Sequence, residues 1–151
     1  MGRGIEVPHN EFSIHLGTVM PKPRLIAIVD DDQPFRDSMR KLLTSLAYTA
    51  EVFSSAYDFL ASPLLTETAC LLADVNMPGM SGPELFRYLV GAGHAIPTIL
   101  VTAHRDDLVR TRALNDGITC YIYKPVDDHH LQECIRVALD PQSRSERTHD
   151  G

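Results

Sequence analysis

The chain has 151 residues, 44% of them hydrophobic and 23% charged, which suits one soluble domain with a core of its own and at most one active site. Its 20 acidic residues against 14 basic ones give a net charge of -6, a balance that argues against a chain built to hold phosphate backbones, so no direct nucleic-acid partner is expected. No run approaches the roughly 20 apolar residues of a membrane span. The opening MGRGIEVPHNEF has no apolar signal core, and Glu6 breaks the myristoylation pattern, so a cytoplasmic protein without membrane contact is expected. Cys70, Cys120 and Cys134 are odd in number, lie in apolar segments and lack metal-binding spacing; they read as buried thiols in a reducing compartment.

Residues 1 to 23 show no clear period and finish in MPKPR, where Pro21 and Pro23 favour extended chain, so they read as a flexible lead-in. LIAIV (25 to 29) is an apolar run short enough for a buried strand, stopped by Asp30, Asp31 and Asp32. Phe35, Met39, Leu42, Leu43 and Leu46 then recur at helical spacing, with Pro34 where a first turn tolerates it. YTAEVF (48 to 53) predicts a second strand, SAYDFLAS a short helix, and ACLLA (69 to 73) a third strand ending at Asp74. Ser81 with Glu84 three residues on predicts a capping box opening a helix through about Gly91. IPTILV (96 to 101) predicts the fourth strand and HRDDLVRTRALND a helix stopped at Gly117. ITCYIY (118 to 123) predicts the fifth strand, and Leu131, Ile135 and Ala138 mark a last helix ending near Asp140. From Pro141 the polar tail PQSRSERTHDG reads as disordered.

Strands alternating with helices predict an α/β sandwich over residues 24 to 140, a parallel sheet covered on both faces. Ligands in such sheets bind at the carboxyl ends of the strands. Here those ends carry Asp30 and its two followers, Asp74, Thr102, and Lys124 with Pro125. Taken alone, Asp74 could be a turn residue, a metal ligand or a nucleophile. Its company narrows the choice. Two carboxylates about 4 Å apart repel by roughly 4 kcal/mol at an effective dielectric near 20, so converging acids need a cation, and oxygen ligands suit a hard one. A lysine and a hydroxyl beside them can meet phosphoryl oxygens, which makes an aspartyl-phosphate site plausible on chemistry alone.

The motifs IVDDDQP, LLADVNMPGMSG, ILVTA and YIYKP, in that order, resemble the receiver domain of two-component response regulators, most closely receivers of the FixJ/NarL type. The resemblance implies a flavodoxin-like (CheY-like) (βα)5 fold, with a five-stranded parallel sheet in order 2-1-3-4-5. It implies Asp74 as phosphoacceptor, Asp31 as the main carboxylate for Mg2+ (or Mn2+), Asp30 assisting through water, and Asn76 lending its backbone carbonyl. Thr102 is then the switch hydroxyl, Lys124 the phosphate-sensing lysine, and the bond before Pro125 is expected to be cis. Tyr121 falls where such domains carry a mobile aromatic, and Val126 stands where they more often have Phe. The implied partners are a sensor histidine kinase and either a downstream protein or a second copy, met through the face of the fourth helix, fifth strand and fifth helix. No enzymatic activity beyond the chain's own phosphorylation and dephosphorylation is expected.

Several acids and histidines are set apart from this set. Asp32 is expected to begin the first helix, where negative charge is favourable. His129 and His130, adjacent on a helix, point about 100° apart and read as a solvated pair, whereas His104 lies at the mouth of the site. Only a short polar tail follows Asp140, which favours a stand-alone receiver over the first part of a DNA-binding regulator. Two rivals stay open: a small HAD-type phosphatase, in which Asp30 and Asp32 form a DxD motif, and a degenerate receiver used as a scaffold.

Overall fold

The computed structural model of the chain describes residues 12–15, 18–21 and 23–140. The readings of residues 1 to 11 and of the tail from Pro141 lie outside them. Within the expected lead-in, β1 (Phe12–His15) pairs antiparallel with β2 (Thr18–Pro21), Phe12 opposite Pro21 and His15 opposite Thr18. This corrects the reading of these two segments as chain without a period. Pro21 sits at the end of a two-stranded sheet, where a missing N–H is tolerated, so it does not veto a strand.

Five parallel strands form the main sheet: β3 (Leu25–Val29), β4 (Thr49–Phe53), β5 (Thr68–Asp74), β6 (Thr98–Thr102) and β7 (Cys120–Tyr123), in the order β4-β3-β5-β6-β7. Counted along the sheet-forming strands, that is the predicted order 2-1-3-4-5. The helices are α1 (Gln33–Ser45), α2 (Ala56–Leu60), α3 (Gly82–Gly91), α4 (Asp107–Asp116) and α5 (Asp128–Leu139), with a 3-10 turn at Pro63–Glu67 that the apolar pattern did not signal.

Period-two alternation divides the core. Ile26, Ile28, Cys70, Leu72, Ile99, Val101, Cys120 and Ile122 face Met39 and Leu43 of α1 and Leu131, Cys134, Ile135 and Ala138 of α5. Ala27, Val29, Leu71, Ala73, Leu100 and Tyr121 face Ala56 and Phe59 of α2, Leu85, Phe86 and Leu89 of α3, and Ala113 of α4. Both faces of the central strands are covered, which is why these strands read as unbroken apolar runs rather than as alternation. All three cysteines are buried thiols. No helix among the described residues is long and apolar enough to cross a membrane.

Helix starts differ most from the sequence reading. The segment beginning at His104 does not become helical until Asp107, because the Asp106 side chain accepts from the Leu108 and Val109 amides and so caps the helix there. Gly117 ends it in the left-handed region at φ 111. The Ser81 and Glu84 capping box forms with both of its hydrogen bonds.

Candidate functional site

The carboxyl ends of β3, β5, β6 and β7 deliver Asp30, Asp74, Thr102 and Lys124 to one edge of the sheet. A carboxylate oxygen from each of Asp30, Asp31 and Asp74 lies within 4.8 Å of the others. Asp30 is fully buried and Asp74 is 8% exposed, whereas Asp31 faces solvent. Continuing the alternation of each strand puts Asp30, Asp74 and Lys124 on the α1/α5 side, and Thr102 on the side of α2, α3 and α4.

On the first side, the Lys124 ammonium donates to Asp30 Oδ2 at 2.9 Å and to Asp74 Oδ2 at 3.4 Å. Its nitrogen also stands 4.1 Å from the centre of the Phe35 ring. Burial works to lower the lysine's pKa, but the Asp30 hydrogen bond and the charges of both aspartates outweigh it and hold the pKa above its ordinary value. Asp74 moves the other way from a normal ion-paired acid: its pKa rises from 3.8 to about 6. Burial is the main cause and the charge of Asp30 adds to it, while the Asn76 amide donating to Asp74 Oδ1 at 3.0 Å and the charge of Lys124 oppose it. Asp30 is tied locally as well, its Oδ1 accepting from the Asp32 amide at 2.9 Å and its carbonyl from Arg36 at 2.8 Å.

The donor set fits a hard divalent cation. Three carboxylates and one ammonium leave the cluster short of positive charge. All side-chain donors are oxygens, and the outermost, Asp31, is exposed, which suits an ion that keeps several waters. Asp30, Asp31 and Asp74 are the side chains placed to hold it.

On the second side, the buried Thr102 hydroxyl accepts from the His104 amide at 3.0 Å and from the Asn76 side chain at 3.3 Å. A hydroxyl has two acceptor positions and one proton, so these bonds leave the proton as its remaining hydrogen-bonding capacity. Beside it opens a cleft of about 350 Å³ lined by Val75, Asn76, Thr102, His104, Asp106, Val109 and Tyr121. Tyr121 is 8% exposed and packs edge to face on Tyr123 at 5.6 Å, and the Arg105 guanidinium covers Tyr123 at 4.2 Å.

The loop after β5 is fixed by close approach. A Cβ on Gly82 would sit 2.4 Å from the Asp74 carbonyl oxygen, so only glycine lets α3 start against the backbone that carries Asp74. Gly79 turns the loop at φ 82, with the Tyr57 ring packed over it.

The structure thus brings together Asp30, Asp31, Asp74, Asn76, Thr102 and Lys124, with Tyr121 across the cleft. The Lys124–Pro125 peptide is cis. Asp32 stands outside the acid cluster as the exposed N-cap position of α1, and His129 and His130 are exposed. Val126 is half-buried against the α1/α5 side of the core. Sequence reasoning missed two participants, Phe35 and Arg36, and it gave Asn76 a backbone role although its side chain also reaches Thr102.

A family model described as "Response regulator receiver domain" matches residues 26–136. The chain is 36% identical over 123 residues to the response regulator protein TodT of Pseudomonas putida, covering 80% of this chain and 54% of that one. It is 31% identical over 124 residues to the transcriptional regulatory protein FixJ of Bradyrhizobium diazoefficiens, covering 80% and 60%. The chain therefore spans between about half and three fifths of the length of these relatives. Among solved structures, FixJ-N superposes with a TM-score of 0.70 at 33% identity, covering 78% of this chain and 94% of that one. A CheY-like receiver domain protein from Methanospirillum hungatei superposes with a TM-score of 0.72 at 30% identity, covering 83% and 99%.

Proposed function

The chain belongs to the response regulator receiver domain family of two-component systems, and from that premise we propose that Asp74 accepts a phosphoryl group from a sensor histidine kinase or a small acyl phosphate donor. The observation that carries this reading is the meeting of Asp74 with two further acids, a lysine and a hydroxyl at the ends of four strands.

The residues divide the work. An Asp74 carboxylate oxygen attacks phosphorus; the bond from phosphorus to the donor's imidazole nitrogen or acyl oxygen breaks, and its electron pair leaves with the donor. The product is a mixed anhydride on Asp74. Lys124, donating to both Asp30 and Asp74, is placed to follow a phosphoryl oxygen as charge builds. Thr102, whose acceptor positions are filled by Asn76 and His104, has a proton to donate to another. A Mg2+ or Mn2+ held by Asp30, Asp31, Asp74 and the Asn76 carbonyl would neutralise donor and acceptor oxygens together. Catalysis is confined to the chain's own modification.

The output is a change of surface. Movement of Thr102 toward a phosphoryl group vacates space that Tyr121 borders, and α4 and β7 adjoin that space. Leu108 of α4, 70% exposed, offers an apolar contact to a protein partner or a second copy. The phosphatase reading has less support, since Asp32, the second acid of its DxD motif, lies outside the acid cluster.

Incubation with acetyl phosphate and Mg2+ should add about 80 Da to the intact protein, and Asp74→Asn should abolish the gain. A wild-type mass that does not change would sink the reading.

A further inference from the structure

We propose that Phe35 is a positioning residue for the Lys124 ammonium, an inference that rests on the phosphoacceptor reading of Asp74. Lysine carries three N–H donors and no acceptor. Two of them are directed at Asp30 Oδ2 and Asp74 Oδ2, at 2.9 and 3.4 Å. The face of the Phe35 ring, 4.1 Å from the same nitrogen, occupies the third approach. That distance is well inside the roughly 6 Å within which a cation is attracted to an aromatic face.

The surrounding structure fixes both partners of this contact. Phe35 lies in the first turn of α1, the helix that starts directly after the acidic loop, and it is half-buried against the α1/α5 side of the core. The neighbouring Arg36 bonds the Asp30 carbonyl at 2.8 Å, so the turn that carries the ring is tied to the segment that carries the acid. Lys124 itself retains some exposure, its side chain being 16% accessible. Without a ring on that side, water would compete for the third donor and the flexible four-carbon stem could swing the charge away from Asp74. An aliphatic residue of similar size would fill the space against α1 but would offer the ammonium no attraction. The ring thus holds the charge on the Asp74 side of the cluster before any phosphoryl oxygen arrives, which lowers the reorganisation that Lys124 must undergo during transfer.

The test compares initial rates of acetyl phosphate incorporation, read by intact mass, in wild type, Phe35→Leu, Phe35→Trp, Lys124→Ala and the double variant Phe35→Leu/Lys124→Ala. Phe35→Leu should slow incorporation about two- to fivefold, Phe35→Trp should stay within about twofold of wild type, and Phe35→Leu should cost nothing further once Lys124 is alanine. An NMR spectrum in the absence of any donor should show the Lys124 ε-methylene protons shifted upfield by the ring, and Phe35→Leu should remove that shift. Equal rates for Phe35→Leu and wild type, an equal loss with Lys124 absent, a Trp variant as slow as the Leu variant, or no ring-dependent shift would each overturn the proposal. The two readings fail separately: absence of any mass gain in wild type removes the phosphoacceptor reading whatever the NMR shows, whereas a phosphorylated wild type without the ring shift removes only the role of Phe35.

Discussion

The two sides of the sheet edge are built in opposite ways. On the α1/α5 side, Lys124 contacts Asp30, Asp74 and Phe35 at once. On the other side, Thr102 and Tyr121 border a cleft of about 350 Å³. Asn76 reaches both with its own polar groups, its backbone amide bonding Asp74 and its side chain bonding the Thr102 hydroxyl. The charged side is arranged before the reaction, as electrostatic stabilisation requires, and the open side has room in which a hydroxyl and an aromatic can move. On the proposed function, chemistry and switching occupy separate faces of one strand edge, with Asn76 bonded to both.

The comparison can be broken most forcefully at the charged side. If that cluster lacks a cation, Mg2+ should stabilise the protein, by about 2.7 kcal/mol at a hundredfold excess over Kd. Thermal melts should show a shift that is much smaller in Asp31→Ala; equal shifts in the two proteins would remove Asp31 from the metal site. Stability without metal gives the next largest effect. Folding raises the pKa of Asp74 from 3.8 to about 6, so the folded state holds the extra proton between those values. Stability should therefore fall as pH rises through that window and stay lower above it. At neutral pH, Asp74→Asn removes the buried charge but also weakens the bond to Lys124, and the net gain should be up to about 2 kcal/mol in denaturant melts. A loss of stability, or a gain that persists unchanged at pH 4, would contradict the assignment of cause. Metal affinity should weaken over the same window, since the proton on Asp74 competes with the ion.

The link between the sides should give the smallest effect. Asn76→Ala removes one of the two bonds that Thr102 accepts and should slow phosphoryl incorporation by about 1 kcal/mol, a fewfold change. In a Thr102→Val background the same substitution should cost nothing further, and additive losses would mean that Asn76 acts only on the loop.

How much of this was legible in sequence follows the same division. The charged residues of the site sit at the ends of buried strands, and LIAIV and CLLA announce those strands as short apolar runs, so Asp30 and Asp74 could be placed on one edge before any coordinates. The order of the sheet came from the resemblance of the motifs, because apolar runs do not state which strands are neighbours. Contacts between elements were not legible. Phe35 has the spacing of an ordinary core-facing helix residue, and nothing local reveals that the ring meets a lysine 89 positions later in the sequence. The close approach of Gly82 to the Asp74 carbonyl was hidden for the same reason. The start of α4 was placed too early because the polar run from His104 to Asp107 does not mark where the helix is capped, and only the geometry shows Asp106 accepting from two amides.

The central claim is that Asp74 itself carries the phosphoryl group. The most direct measurement is borohydride reduction of protein treated with acetyl phosphate and Mg2+, followed by peptide sequencing, because hydride converts an aspartyl phosphate to homoserine and leaves ordinary carboxylates unchanged. Homoserine at position 74, and at no other aspartate, is the predicted result. Homoserine at Asp30 or Asp31, or aspartate recovered intact at position 74, would contradict the account.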